Sequence, residues 1–261
     1  MKKLLLLIRI FLCLLPFLII FLIQQTNSLK DTRYVWASGR VPPGFDGYTI
    51  ALVSDLHNKR FGKNQVRLVR AVWELQPDLI ALTGDFADLQ TKNLDSVREL
   101  LEGVHDLVPM YYVDGNHDPE SPFYDELLAL LEEYEVTVLD GEEIILTQNN
   151  DKMTLTGFPY WHPGDTAADI VLFHDPAALE QFAAQGCGLV LAGHIHGGQV
   201  ALPGGRAILG PSGGLFPKYS GGVYTEGETT LVLSRGLGTS GFPFRAFSRP
   251  EVVGVELKHE K

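Results

Sequence analysis

Cysteine is scarce in this 261-residue chain: Cys13 and Cys187 are the two present. Cys13 sits in an apolar N-terminal run, so only Cys187 remains beyond it and no intramolecular disulfide can form there. A domain this large needs no such staple, and the compartment stays open. Positive charge is also in deficit, with 21 Lys and Arg against 32 Asp and Glu and a formal net charge of −11. That balance excludes a general nucleic-acid binder. An acidic chain that handles phosphate must invert its local field, which bound divalent cations do. Internal repeats and an internal linker are missing, and the length suits one large domain or two small ones.

One long hydrophobic run is present. Leu4 to Ile23 makes twenty positions broken only by Arg9 and Pro16. Such a run can span a bilayer, and it exceeds the roughly 7–15 residues of a signal-peptide apolar region. The residues that follow, Gln24-Gln25-Thr26-Asn27-Ser28, offer no small-x-small cleavage site. We therefore expect an uncleaved single-pass anchor over 1–25, a tether over 26–47 and one domain over 48–257. Lys2 and Lys3 favour a cytoplasmic N-terminus and a domain on the outer face of the membrane.

Beyond residue 47 the chain alternates short apolar strands with helical patterns, as an α/β domain does. Expected strands cover 48–54, 78–83, 109–113, 136–139, 168–173, 189–192, 229–234 and 251–257, with a hairpin over 144–157. Helices are expected over 64–75, 96–107, 124–134 and 177–184. Pro203 to Gly227, rich in glycine and proline, reads as long loops, which in compact domains often line a site. Five strands end in polar clusters: Asp55/His57, Asp85/Asp88, Asn116/His117, His174 and His194/His196. The i, i+2 pairs on extended backbone share one face, so both imidazoles of His194-x-His196 should reach one locus. Any one of these endings has a bland reading as a strand cap with a surface histidine. Together they offer carboxylate, imidazole and amide, the donor set of a borderline transition metal.

The series Asp55-x-His57, Gly84-Asp85-x-x-Asp88, Gly115-Asn116-His117-Asp118, His174 and Gly193-His194-x-His196 resembles the ordered motifs of calcineurin-like metallophosphoesterases. Gly214-Leu215-Phe216-Pro217-Lys218-Tyr219 and Ser234-Arg235-Gly236-Leu237-Gly238 look like one branch, membrane-anchored bacterial phosphodiesterases related to enzymes that cleave UDP-2,3-diacylglucosamine in lipid A synthesis. The resemblance implies a four-layer α/β/β/α sandwich holding two divalent metal ions. One ion would take Asp55, His57 and His196, the other Asn116, His174 and His194, with Asp85 bridging. His162 rivals His174; we prefer His174 because it ends a clear apolar strand. Mixed N/O ligation suits manganese, iron, zinc or nickel.

The activity implied is hydrolysis of a phosphodiester or pyrophosphate, on a lipid-linked or envelope compound such as UDP-2,3-diacylglucosamine. Two such metals lower the pKa of a bridging water towards roughly 7, and the resulting hydroxide attacks in line. His117 matches the family's catalytic histidine, the general acid for the leaving oxygen, and Asp88 the carboxylate that orients its ring. Arg235, Arg245 and Arg249 are candidates to bind a second phosphate as planar forks. Phe216, Tyr219, Phe242, Phe244 and Phe247 are candidates for an apolar rim that meets lipid. The rival functions are a phosphomonoesterase with the same metal core and a non-catalytic envelope protein that binds polyanions.

Overall fold

The strands over 49–53, 79–83, 170–172 and 189–192 are nearly continuous apolar runs because both their faces are buried. The computed structural model describes residues 2–106, 108–210 and 214–260. In chain order its elements are α1 (Lys2–Asn27), β1 (Lys30–Ser38), β2 (Thr49–Val53), α2 (Val66–Leu75), β3 (Leu79–Thr83), α3 (Asp95–Val104) and β4 (Met110–Val113). There follow α4 (Tyr124–Glu133), β5 (Thr137–Val138), β6 (Glu143–Gln148), β7 (Asp151–Gly157), β8 (Ile170–Leu172), α5 (Leu179–Gln185) and β9 (Leu189–Ala192). The last strands are β10 (Gly222–Glu226), β11 (Thr229–Leu233) and β12 (Glu251–His259). Leu107, expected at the end of α3, lies outside the described residues.

The strands form two six-stranded sheets, ordered β1-β12-β2-β3-β4-β5 and β10-β11-β9-β8-β7-β6. Alternate residues sort the core into three slabs. Ile50, Leu52, Leu79 and Ala81 meet Leu172, Leu189 and Leu191 between the sheets. Ala51, Val53, Ile80 and Leu82 face the other way, onto α2, α3 and α4. Val171, Val190, Ala192 and Leu231 cover α5 with Phe182. The result is the expected four layers, α/β/β/α. Truncating a leucine of the central slab, such as Leu52 (0 % exposed), to alanine costs about 2–5 kcal/mol.

Residues 26–47 are not a tether. Lys30–Ser38 pairs in parallel with Glu251–His259 along its whole length, and Trp36, Val41 and Phe45 are buried. The folded unit thus runs from about residue 30 to His259. The cause lies in Thr32 and Trp36, inward-facing residues four apart on a strand whose partner lies at the far end of the chain. The 203–227 stretch, expected to be all loop, contains β10, held antiparallel against β11; residues 211–213 lie outside the described residues. On α2 the buried face is Leu68, Ala71, Val72 and Leu75. Val66 and Trp73, apolar residues of the same helix, are exposed.

Helix α1 is about 39 Å long at 1.5 Å per residue. Its segment Ile8–Asn27 has a mean hydropathy of 2.2 and no buried residue, so by length and composition it can cross a membrane.

Candidate metal centre

All the ligand candidates lie just past the C-terminal ends of parallel strands, where open α/β sheets present their sites. β2 delivers Asp55 and His57, β3 delivers Asp85, β4 delivers Asn116 and His117, β8 delivers His174, and β9 delivers His194 and His196. Edges from both sheets thereby converge on one locus. Asp55, His57, Asp85 and His196 bring donor atoms within 4.8 Å of one another, and Asp85, His174 and His194 do the same. Asp85 belongs to both groups. Its Oδ2 lies 3.6 Å from His57 Nε2 and 3.1 Å from His174 Nε2. His57 Nε2 and His196 Nε2 face each other at 3.2 Å.

The i, i+2 expectation for His194 and His196 needs correcting. Strand β9 ends at Ala192, and both histidines sit at positive φ, 75° and 51°. They turn into different groups, His194 towards His174 and His196 towards His57. Asp55, His57 and Asp85 also have positive φ, at 54°, 45° and 58°. Such a backbone costs an L residue roughly 1–2 kcal/mol, so five of these side chains are held by local strain that the surrounding packing sustains. Gly236, at φ +65°, lets its loop close over them; a Cβ there would lie 2.6 Å from Asp55 Cβ.

Asp55 Oδ2 and Asn116 Oδ1 are buried with no hydrogen-bond partner, and buried Asp85 Oδ2 and His174 Nε2 have only each other, at 3.1 Å. An unsatisfied buried group costs about 1–3 kcal/mol, more when charged, so this set calls for cations. Carboxylate, imidazole and amide donors fit borderline divalent metals. In the metal-free site the imidazoles titrate in two ways. Burial works against a charged His174, yet the Asp85 carboxylate overrides it and lifts the imidazole to about 10. Burial would raise Asp85, but the His174 and His57 imidazoles hold it well below the usual carboxylate range. Burial, with neighbouring His57 and Arg245, pushes His196 far down. Burial and His174 also lower His194. Both therefore stay neutral, as ligation requires.

The outer groups differ from expectation. Asp88 Oδ2 lies 3.1 Å from His57 Nδ1, while its Oδ1 accepts from Gln90 N at 2.8 Å in a turn. It thus orients the His57 ring and leaves Nε2 to the locus. His117, whose ring centroid is 5.4 Å from that of His57, has Nδ1 3.3 Å from Glu120 Oε2. Glu120 escaped the sequence reading, although its i+3 spacing from His117 was a usable signal. Asp118 clasps the loops: its carboxylate accepts from the backbone N–H of Asp85, Phe86, Ala87 and Gly115 at 2.6–2.9 Å. Burial and the Asp85 charge still push it up to about 6.

Two of the three candidate phosphate forks are occupied elsewhere. Arg245 is fully buried and donates to the carbonyls of Gly238, His196, Arg235 and Ser248. It is an internal staple for three loops, out of a ligand's reach. Arg235 Nη1 donates to both carboxylate oxygens of Glu251, each at 3.0 Å. A cavity of about 430 Å³ opens over the cluster, lined by Asn116, His117, Tyr160, His194, His196 and Phe242 among others; neither arginine lines it. Tyr160, also missed in the sequence, stands 5.6 Å from the His194 ring. His162, the rival to His174, is exposed.

Residues 48–198 match the family described as calcineurin-like phosphoesterase. Among relatives, the Bacillus subtilis uncharacterized metallophosphoesterase YkuE is 28 % identical over 253 residues, covering 90 % of this chain and 87 % of that protein. The Escherichia coli phosphodiesterase YaeI is 28 % identical over 226 residues, covering 80 % of this chain and 82 % of its own. A zebrafish (Danio rerio) transmembrane protein with a metallophosphoesterase domain is 28 % identical over 246 residues, covering 84 % of this chain and 55 % of its own.

Proposed function

Because this chain belongs to the calcineurin-like phosphoesterase family and is a metal-dependent phosphoester hydrolase, we propose that it is a dinuclear phosphodiesterase or pyrophosphatase acting on a membrane-associated substrate. The single observation that carries the reading is the set of buried donor atoms around the shared carboxylate of Asp85. Asp55, His57 and His196 would hold one divalent cation, and Asn116, His174 and His194 the other, with Asp85 serving both. When bound, such ions supply Lewis-acid charge to the phosphoryl oxygens and an activated water.

The chain's own groups do the rest. Asp88 fixes the His57 tautomer by accepting from Nδ1, which keeps Nε2 available. Glu120 holds His117 from its Nδ1 side, so Nε2 is the atom that protonates the leaving oxygen. A helix long enough to span a bilayer and a relative named a phosphodiesterase support the membrane and diester parts of the reading. UDP-2,3-diacylglucosamine is one compound of that class to assay. Lys2 and Lys3 support a single-pass topology with the domain outside.

The test uses the full chain in detergent, stripped of metal and then given manganese, with bis-p-nitrophenyl phosphate as substrate. Restored turnover, lost by about 10²–10⁴-fold in His117→Ala while metal content holds, is the expected result. Faster cleavage of the mono-aryl phosphate would make it a phosphomonoesterase. A folded protein that holds two metals but turns over neither ester would make it a binding protein.

A further inference from the structure

We propose that the rim of the cavity is a membrane-seating surface, resting in the interface of an anionic bilayer so that an amphiphilic phosphodiester enters laterally with its chain still in lipid. This rests on α1 being the anchor and deepens the proposed function by naming the substrate's physical class.

Depth is set by α1. Phe21 lies inside the apolar run Leu4 to Ile23, so whatever packs on it lies at the edge of the hydrocarbon. Its partner is Phe247, with ring centroids 5.2 Å apart. One turn later Thr26 Oγ1 accepts from the Arg245 backbone N–H at 2.9 Å, and Arg249 Nε donates to the Ser28 carbonyl at 3.0 Å. The loop 239–249 is therefore tied to the anchor at membrane level.

That loop is continuous with the cavity. Phe242 and Leu209 line it, and Leu209 bridges to Leu215. Ala201 N–H donates to the Ala246 carbonyl, which joins loop 199–210 to the anchored loop. Across this face Leu202, Leu215, Phe216, Phe242 and Phe247 are between 42 % and 69 % exposed. Apolar side chains left outward on adjoining loops mark a surface that something covers. Charge selects the occupant: Lys30, Arg67 and Arg249 stand around the foot of α1, and Arg206 lies over the Phe216 ring on the rim. In a chain of net charge −11, a basic collar beside an apolar rim matches the headgroups and acyl edge of an anionic bilayer.

The experiment places the full chain in vesicles of phosphatidylethanolamine with phosphatidylglycerol. A nitrobenzoxadiazole dye is attached through Leu215→Cys in a Cys13→Ser background; Cys187 is buried. We expect headgroup-level nitroxide lipids to quench this dye but not one attached through Ile145→Cys on β6. Replacing phosphatidylglycerol with phosphatidylcholine should weaken that quenching. The double variant Leu202→Glu, Leu215→Glu should lose roughly tenfold turnover on hexadecyl p-nitrophenyl phosphate in vesicles. On soluble ethyl p-nitrophenyl phosphate it should match the parent. An unquenched dye at 215 on protein that floats with vesicles and cleaves the soluble ester overturns the seating alone. Failure to float overturns it through the anchor, and failure on the soluble ester overturns the proposed function instead. Shielding of the dye in native membranes but not in pure lipid would assign the surface to a protein partner and overturn the proposal.

Discussion

Replacing Arg245 with methionine separates an internal staple from a substrate-binding fork. Methionine keeps an unbranched apolar stem and removes every donor. The carbonyl of His196 retains Ser248 Oγ at 2.9 Å and Gln199 N at 3.0 Å, so it stays satisfied. Those of Gly238, Arg235 and Ser248 lose the guanidinium that reaches them at 2.9, 2.8 and 3.1 Å. Three buried carbonyls at about 1–3 kcal/mol each set a gross loss of about 3–9 kcal/mol. Relief of a buried charge, which burial pulls down to about 10, offsets part of that and leaves the lower end, about 3 kcal/mol. At about 2–4 °C per kcal/mol for a domain of this size, the melting midpoint should fall by about 6–12 °C. The assay is thermal unfolding of metal-stripped protein followed by near-UV circular dichroism. Arg70→Met is the control, an exposed i, i+4 partner of Glu74 whose loss costs about 0.3–0.5 kcal/mol. An unmoved midpoint with a raised KM for phosphodiester would refute the staple and return Arg245 to the substrate.

Asp88→Asn should lower metal affinity by about 10–100-fold through the freed His57 ring; a change confined to turnover of poor leaving groups would instead tie Asp88 to His117. Asp85→Ala should leave fewer than two metals per chain by elemental analysis, and an unchanged metal count would sink its shared position. In metal-stripped protein, His174 is raised to about 10, so its stabilising contribution is complete below about 6.5 and is lost as pH climbs through about 10. Asp118, raised to about 6, favours the fold most below about 3.9 and loses that contribution as pH rises through about 6. Stripped protein should thus lose stability from both groups as pH rises. Metal uptake near pH 8 should release protons, read by calorimetry in buffers of different ionisation enthalpy; uptake with no proton release would contradict the His174 assignment.

The residues of the site were legible in the sequence because each must follow a buried strand directly, and buried strands announce themselves as short apolar runs. Asp55, Asp85, Asn116, His174 and His194 could each be picked out from the end of such a run. The four layers were an expectation from the family resemblance; the apolar runs themselves say only that those strands are covered on both faces. Strand β1 was not legible, because its partner lies more than 200 residues away in sequence and only Thr32 and Trp36 hint at an inward face. Chemical type likewise said nothing about pairing. An arginine in a glycine-rich loop can reach a ligand or turn inward, and the four carbonyls around Arg245 decided for the interior. Asp88 and Glu120 both lie within reach of a histidine, and left-handed turns after the strands set which ring each one meets. Sequence alone thus determined which chemical groups stand at the sheet edges. Only the tertiary structure decided their partners, because direction at a strand's end is set by backbone turns and by neighbours that are distant along the chain.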